Sequence, residues 1–166
     1  MPYVQLPNGE TIAQAQSITR YLGKLVTVSG EKLYSDDPLV SLKVDEIMDA
    51  FDDVRGCLVP TFSIKDQAEK EAARQAVFDK DTKATKILTK LEARCVGPFY
   101  FGSTMTLADV YIFWFLRWIG SGFWDGLGPD TLKDYVKLES VAKNVGKHPA
   151  LQSYYGGRDG QYANWV

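Results

Sequence analysis

The chain has 166 residues, of which 45% are hydrophobic and 13% aromatic, enough apolar material for one packed core of ordinary domain size. Lys and Arg number 19 against 21 Asp and Glu, a formal net charge of −2, so no basic surface for nucleic acid is expected. Cys57 and Cys95 lie far apart, and no His, Cys or Asp cluster has metal-ligand spacing. We therefore expect no metal, no disulfide framework and a reducing compartment such as the cytoplasm.

The first elements in chain order are short strands. Residues 3–6 form a strand candidate, residues 7–10 (Pro-Asn-Gly-Glu) are a turn signal, and residues 11–12 can return as a second strand. From Ala13 the apolar residues recur at helical spacing, which predicts a helix. Residues 29–38 are rich in Ser, Gly, Asp and Pro, a composition typical of a linker.

Long helical patterns follow the linker. Residues 40–58 carry one apolar face, and Pro60 ends or kinks this helix. A second long helix is predicted from about Asp66 to Arg94, and a third begins near Thr106. Shorter helical pieces are predicted at residues 131–134, 138–145 and 150–155. The most apolar stretch, residues 107–119, is too short to cross a bilayer, so no transmembrane segment is expected.

A capping box marks the start of the third long helix. Thr106 and Asp109 have the spacing at which the Thr hydroxyl accepts from the Asp109 N–H and the carboxylate reaches back to the Thr106 N–H. An apolar run with three aromatic residues, Phe113 to Phe115, follows the box. The pattern predicts a structural N-cap on a helix that is buried on most sides.

Four segments in collinear order carry a family resemblance: residues 5–22, residues 44–55, Phe101–Asp109, and residues 121–127 together with 148–151. Together they resemble cytosolic glutathione transferases, particularly the sigma, mu, alpha and pi types. Phe101–Asp109 is similar to the stretch before the buried sixth helix of that family. The resemblance implies a mainly α fold. It places a partial thioredoxin-like β-β-α fragment at residues 1–28, a linker at 29–38 and an all-helical C-terminal domain at 39–166.

The resemblance also implies a partial glutathione site. Met1 and Pro2 occupy the place of the family's residue and cis-proline, where the backbone of that residue pairs with the cysteinyl part of glutathione. The alternative interpretation is that Pro2 is an ordinary terminal proline. Gln14 matches the Gln or Glu that begins the γ-glutamyl site at a helix N-terminus, where backbone N–H groups suit a carboxylate. Ala15 stands where the family has a Ser. The absent hydroxyl predicts glutathione binding weakened by about tenfold to a hundredfold.

A carboxylate on the fourth helix of the family has two interpretations in this chain. Asp49 matches the acidic residue that reaches the neighbouring subunit's glutathione amine in dimeric members. Asp45, Asp49 and Asp52 also share i, i+4, i+7 spacing, which is more often a solvated face. The first interpretation implies a homodimer.

The family's catalytic Tyr, Ser or Cys belongs to an opening βαβ unit, and only Met1 precedes Pro2 in this sequence. We therefore assign no catalytic residue and leave open whether the chain is an enzyme. The resemblance implies conjugation of glutathione to electrophiles as the family chemistry, with little or no activity expected from this chain alone. The alternative is a non-catalytic structural or interaction subunit of a larger assembly, in which an unpaired strand edge is available to another chain.

Overall fold

The computed structural model describes residues 2–162 and 165–166. Seven α-helices and two short antiparallel hairpins make up this part of the chain, so the mainly α fold is confirmed. The strands are β1 (Tyr3–Gln5), β2 (Thr11–Ala13), β3 (Thr27–Val28) and β4 (Glu31–Lys32). The helices are α1 (Ala15–Leu25), α2 (Pro38–Leu58), α3 (Gln67–Val77), α4 (Lys83–Arg94), α5 (Leu107–Gly120), α6 (Val136–Gly146) and α7 (Pro149–Tyr155).

The N-terminal part is a β-hairpin followed by a helix, as the sequence predicts. In the hairpin Tyr3 pairs with Ala13. A second hairpin, which the sequence analysis missed, joins β3 to β4. Its turn residues Ser29 and Gly30 both have positive φ, 52° and 88°, the backbone that a two-residue turn between twisted strands requires. Residues 29–32 of the expected linker are therefore part of a hairpin; the domain boundaries themselves stay predictions.

Helix α2 begins at a strong cap and carries the predicted apolar face. The Asp37 side chain accepts from the N–H groups of Leu39 (2.8 Å) and Val40 (3.1 Å), and Pro38 supplies a favourable first helical residue. Six residues of its inner face are fully buried: Val44, Ile47, Met48, Phe51, Val54 and Leu58. The helix then passes into a 3₁₀ turn that contains Pro60, where the sequence predicts its end.

The single helix expected from Asp66 to Arg94 is wrong, because the structure has two helices there. Helix α3 ends at Val77 and α4 begins at Lys83. Between them Asp81 takes φ of 65°, which no helix continues through. Thr82 caps α4 by accepting from the Thr85 N–H and donates its own hydroxyl to the Val77 carbonyl at 2.7 Å. Asp81 and Thr82 together thus separate the two helices.

Helix α5 is the centre of the helical domain, as its aromatic run predicts. Phe115 is fully buried and lies 4.8 Å from Phe51 of α2, measured between ring centroids. Phe113 is also buried and contacts Trp165, while Trp114 and Trp118 pack at the edge of the core. Within the described residues, no helix has the length and apolar character needed to cross a membrane.

Helix α1 is fixed directly to the bundle. Gly23 is its one fully buried residue, and a Cβ there would lie 2.9 Å from Cβ of Tyr34 and 3.0 Å from a methyl carbon of Leu107. The Gly23 carbonyl accepts from the Tyr34 N–H at 3.0 Å, and the Leu33 carbonyl accepts from the Leu107 N–H at 2.7 Å. This close contact determines where the opposite end of α1, the start at Ala15, meets the helical domain.

Candidate functional site

The N-terminus of α1 has an unusual backbone at the predicted site residue Gln14. Its φ of 79° and ψ of 107° lie outside the regions that residues other than glycine usually occupy. Among the described residues no side chain caps this end of α1, and no acidic residue occupies its first turn. The arrangement leaves the positive end of the helix, at Ala15, open to an anion. Strain of this kind is concentrated at functional sites.

A hydrogen-bond network joins this helix end to α2 and α5. The Gln16 side-chain amide donates to Asp52 Oδ2 at 2.8 Å and to the Tyr111 hydroxyl oxygen at 2.9 Å. Tyr111 in turn donates to Asp52 Oδ1 at 3.0 Å, and Arg55 Nε donates to the same oxygen at 2.8 Å. We call Gln16, Asp52 and Tyr111 the junction triad. It connects residues that are far apart in the sequence.

The junction triad shifts the acid–base properties of its members. Burial alone would raise the pKa of Asp52, but hydrogen bonds from Arg55, Gln16 and Tyr111 outweigh burial and hold this pKa below its usual range. The pKa of Tyr111 is raised by burial and by the neighbouring Asp52 carboxylate. Asp52 is therefore the charged acceptor at neutral pH, and Tyr111 is the neutral donor.

Asp49 lies beside α1 in the same chain. Its Oδ1 accepts from the Arg20 guanidinium at 2.8 Å, while Arg20 Nε donates to Asp45 Oδ1 at 2.6 Å. Tyr34 also donates to the Asp45 carboxylate. The acidic stripe of α2 therefore faces α1 and α5 instead of forming a simple solvated face. The side chain of Asp49 is 67% exposed, and its role toward a second subunit stays a prediction.

The predicted N-cap residues are where the sequence places them. Asp109 is fully buried, and its carboxylate accepts from the N–H groups of Tyr100 (2.6 Å) and Thr106 (2.7 Å) and from the Thr106 hydroxyl (2.8 Å). Burial raises the pKa of Asp109 despite these donors. His148, the only histidine, caps α7 by accepting from the Ala150 N–H. These side chains have structural roles.

Two of the predicted site residues gain no support from their surroundings. Met1 lies outside the described residues, so the peptide bond that joins it to Pro2 has no description. Pro2 is exposed.

Among residues 2–162 and 165–166, no group of three or more His, Cys, Asp or Glu side chains is arranged to hold a metal ion.

Sequence reasoning missed the polar partners of α1. Gln16 and Arg20 fell within a predicted helix, and Tyr111 fell within the apolar run that follows the capping box. Gln16 binds partners 36 and 95 residues away, which no local pattern reveals. The one available signal was the polar character of both residues on a helix that packs against a bundle.

A β-β-α fragment packed on an all-helical domain with a buried central helix places the chain in the glutathione-transferase class of folds. The family model for the C-terminal domain of glutathione S-transferases matches residues 52–158. The chain therefore belongs to the glutathione S-transferase family.

Individual relatives agree with this assignment. Glutathione S-transferase 1 of Ascaris suum is 29% identical over 166 residues, with 95% of this chain and 75% of that protein covered. The structure of prostaglandin synthase D of Nilaparvata lugens is 19% identical with a TM-score of 0.76, covering 96% of this chain and 74% of that one. The rat hPGDS complexed with a quinoline is 22% identical with the same TM-score, covering 96% and 73%. At these identities the two structures show the fold alone.

Proposed function

We propose that this chain binds glutathione with its γ-glutamyl carboxylate at the N-terminus of α1, and that its conjugating activity toward electrophiles is low when the 166 residues act alone. The observation that carries the proposal is the backbone of Gln14. Solved structures that share the fold contain glutathione or glutathione sulfonate, which makes glutathione the first ligand to test.

The geometry at α1 supports a carboxylate ligand. Gln14 turns the chain sharply with φ of 79°, and in the part of the chain that the structure describes, no side chain caps the first N–H groups of the helix that follows. The first N–H groups of a helix have no partner within it, and the helix dipole adds positive potential there. A carboxylate is the natural acceptor for such donors.

Weak binding is the second part of the proposal. Ala15, the first residue of α1, has no hydroxyl to donate to the ligand. A hydrogen bond to a charged group contributes about 1.5–3 kcal/mol, so its absence weakens binding by about tenfold to a hundredfold. We therefore expect little conjugation from these residues alone.

The test is to restore the missing donor. Ala15→Ser is expected to tighten glutathione binding by about tenfold or more, because the added hydroxyl reaches the ligand carboxylate. Ala13→Ser, the same change in β2, is the matched control and should leave the affinity unchanged. Isothermal titration calorimetry measures both. Equal affinities of wild type and Ala15→Ser would contradict the site, and family-level conjugation by the wild-type chain would contradict low activity.

A second candidate function is that of a subunit in a homodimer or larger assembly. Large apolar side chains are exposed on α1 and α2: Leu22 (48%), Leu25 (63%), Leu39 (68%) and Leu42 (63%). Where such side chains form one contiguous surface, they favour a protein partner. Native mass spectrometry of the purified chain separates the cases: a dimer supports self-association, a partner that co-purifies in fixed ratio supports an assembly subunit, and a monomer opposes both.

A further inference from the structure

We propose that Tyr111 and Asp52 of the helical domain are positioning residues for the ligand site, because they hold Gln16 and thereby the N-terminus of α1. The inference rests on the proposed function, since it names the residues that set the affinity of that end of α1 for a γ-glutamyl carboxylate. Neither residue is required to touch the ligand.

The junction triad is a closed set of hydrogen bonds. Gln16 Nε2 donates to both Asp52 and Tyr111, and the Tyr111 hydroxyl donates to Asp52. The Oε1 atom of Gln16 is buried and has no partner among the described residues, so the amide has its orientation fixed through its nitrogen. The two bonds from Nε2 use both of its hydrogens.

The acceptors of Gln16 are themselves rigidly held. Tyr111 packs its ring against Trp114 (5.1 Å between centroids) and Phe51 (6.5 Å). Asp52 is fixed by Arg55 and lies on α2, whose inner face is fully buried. The network therefore holds the first turn of α1 in place relative to two core helices, α2 and α5.

Gln16 is well placed to control the site. It is the second residue of α1 and lies two positions after the strained Gln14. Its own N–H and that of Ala15 are among the open donors of the helix end. If Gln16 shifts, both of these N–H groups shift with it. Hydrogen bonds to a carboxylate weaken steeply as their geometry departs from linear, so the affinity for the ligand falls.

The experiment compares two Tyr→Phe variants. Tyr111→Phe removes the hydroxyl that links Gln16 to Asp52 and keeps the ring. Tyr100→Phe is the matched control, because Tyr100 is a buried tyrosine whose hydroxyl has no partner among the described residues. Calorimetry measures the affinity for glutathione. A competition titration against glutathione measures the affinity for cysteinylglycine, which lacks the γ-glutamyl group. We expect Tyr111→Phe to weaken glutathione binding about five- to tenfold, with cysteinylglycine binding unchanged and Tyr100→Phe like wild type.

A second variant and a second readout keep the test decisive. Gln16→Leu removes the other side of the network and should give the same selective loss. Hydrogen exchange of the Ile18 amide, which bonds to the Gln14 carbonyl at 3.0 Å, should be faster in Tyr111→Phe than in Tyr100→Phe.

The outcomes separate the two proposals. If wild type binds glutathione and Tyr111→Phe binds it equally well, the positioning role is wrong while the ligand site stands. If Tyr111→Phe weakens glutathione and cysteinylglycine to the same extent, the network stabilises the protein in general and the positioning role is again wrong. If wild type binds neither ligand, the proposed function fails and this inference fails with it.

Discussion

Replacing Asp109 by Ala tests how far one buried carboxylate organises the helical domain. The carboxylate is fully buried and accepts two backbone N–H groups, from Tyr100 and Thr106, together with the Thr106 hydroxyl. Alanine leaves all three donors in place and removes their acceptor. The hydroxyl can rotate toward another acceptor, but the N–H groups are fixed by the backbone.

The magnitude follows from those two N–H groups. A buried donor left without a partner costs about 1–3 kcal/mol, so the pair costs about 2–6 kcal/mol. The carboxylate itself is desolvated, as its raised pKa shows, and its removal returns part of that cost. A net loss of about 3 kcal/mol lowers the melting temperature of a domain of this size by about 6–12 °C.

Thermal and urea unfolding of the variant measure this loss. Asp66→Ala is the control, because Asp66 caps α3 on the surface through a single bond to the Glu69 N–H at 2.8 Å. Loss of an exposed cap costs about 1 kcal/mol, or about 2–4 °C. If Asp109→Ala is no less stable than Asp66→Ala, the unsatisfied donors find other partners and the reasoning is refuted.

Two further predictions concern a glycine position and pH. Gly126→Ala should be more destabilising than Gly30→Ala in urea unfolding. Both glycines have φ above 80°, but a Cβ at Gly126 would lie 2.8 Å from Glu71 Cβ, whereas nothing lies within 4 Å of a Cβ at Gly30. Equal losses of stability would show that Glu71 moves aside. Asp52 and Asp109 should contribute to stability with opposite pH dependence. The pKa of Asp52 is lowered in the folded protein, so Asp52 stabilises the fold above its unfolded-state pKa of 3.8, and this stabilisation is lost as pH falls through the folded-state pKa. The pKa of Asp109 is raised in the folded protein, so its stabilisation is present below 3.8 and is lost as pH rises through the folded-state pKa. The contribution of each carboxylate is the difference in unfolding free energy between wild type and Asp52→Asn or Asp109→Asn, measured from about pH 3 to 7. If both differences change with pH in the same direction, the assignment is contradicted.

Most helices were predictable from sequence because their apolar faces point to one core. The exception, residues 66–94, shows the limit of that signal. Val77 and Ala84 lie on either side of the break, and both belong to helices that pack against the same bundle, so the apolar pattern continues across it. The break is made by Asp81 and Thr82, polar residues that the apolar pattern does not register.

The candidate site was only partly predictable, for a different reason. Gln14 and Ala15 came from the resemblance to a family, and the structure adds the backbone angle at Gln14. Gln16 and Tyr111 lie in different domains of the predicted organisation, and only the packing of α1 on the bundle brings their side chains within 2.9 Å. Tertiary contacts of this kind leave no periodic trace in a single sequence.

The acidic stripe of α2 connects these points. Asp45, Asp49 and Asp52 all bind groups on α1, through Arg20 and Gln16. Arg20 pairs with Asp45 and Asp49, and Arg55 pairs with Asp52. Removal of α1 would take away Arg20 and leave like charges close together on α2, which is electrostatically unfavourable. The buried contact at Gly23 adds close packing to the same junction. Helix α1 is therefore an energetic part of the bundle even though the resemblance assigns it to the thioredoxin-like fragment. Any ligand that binds at its N-terminus does so on a support built by α2 and α5.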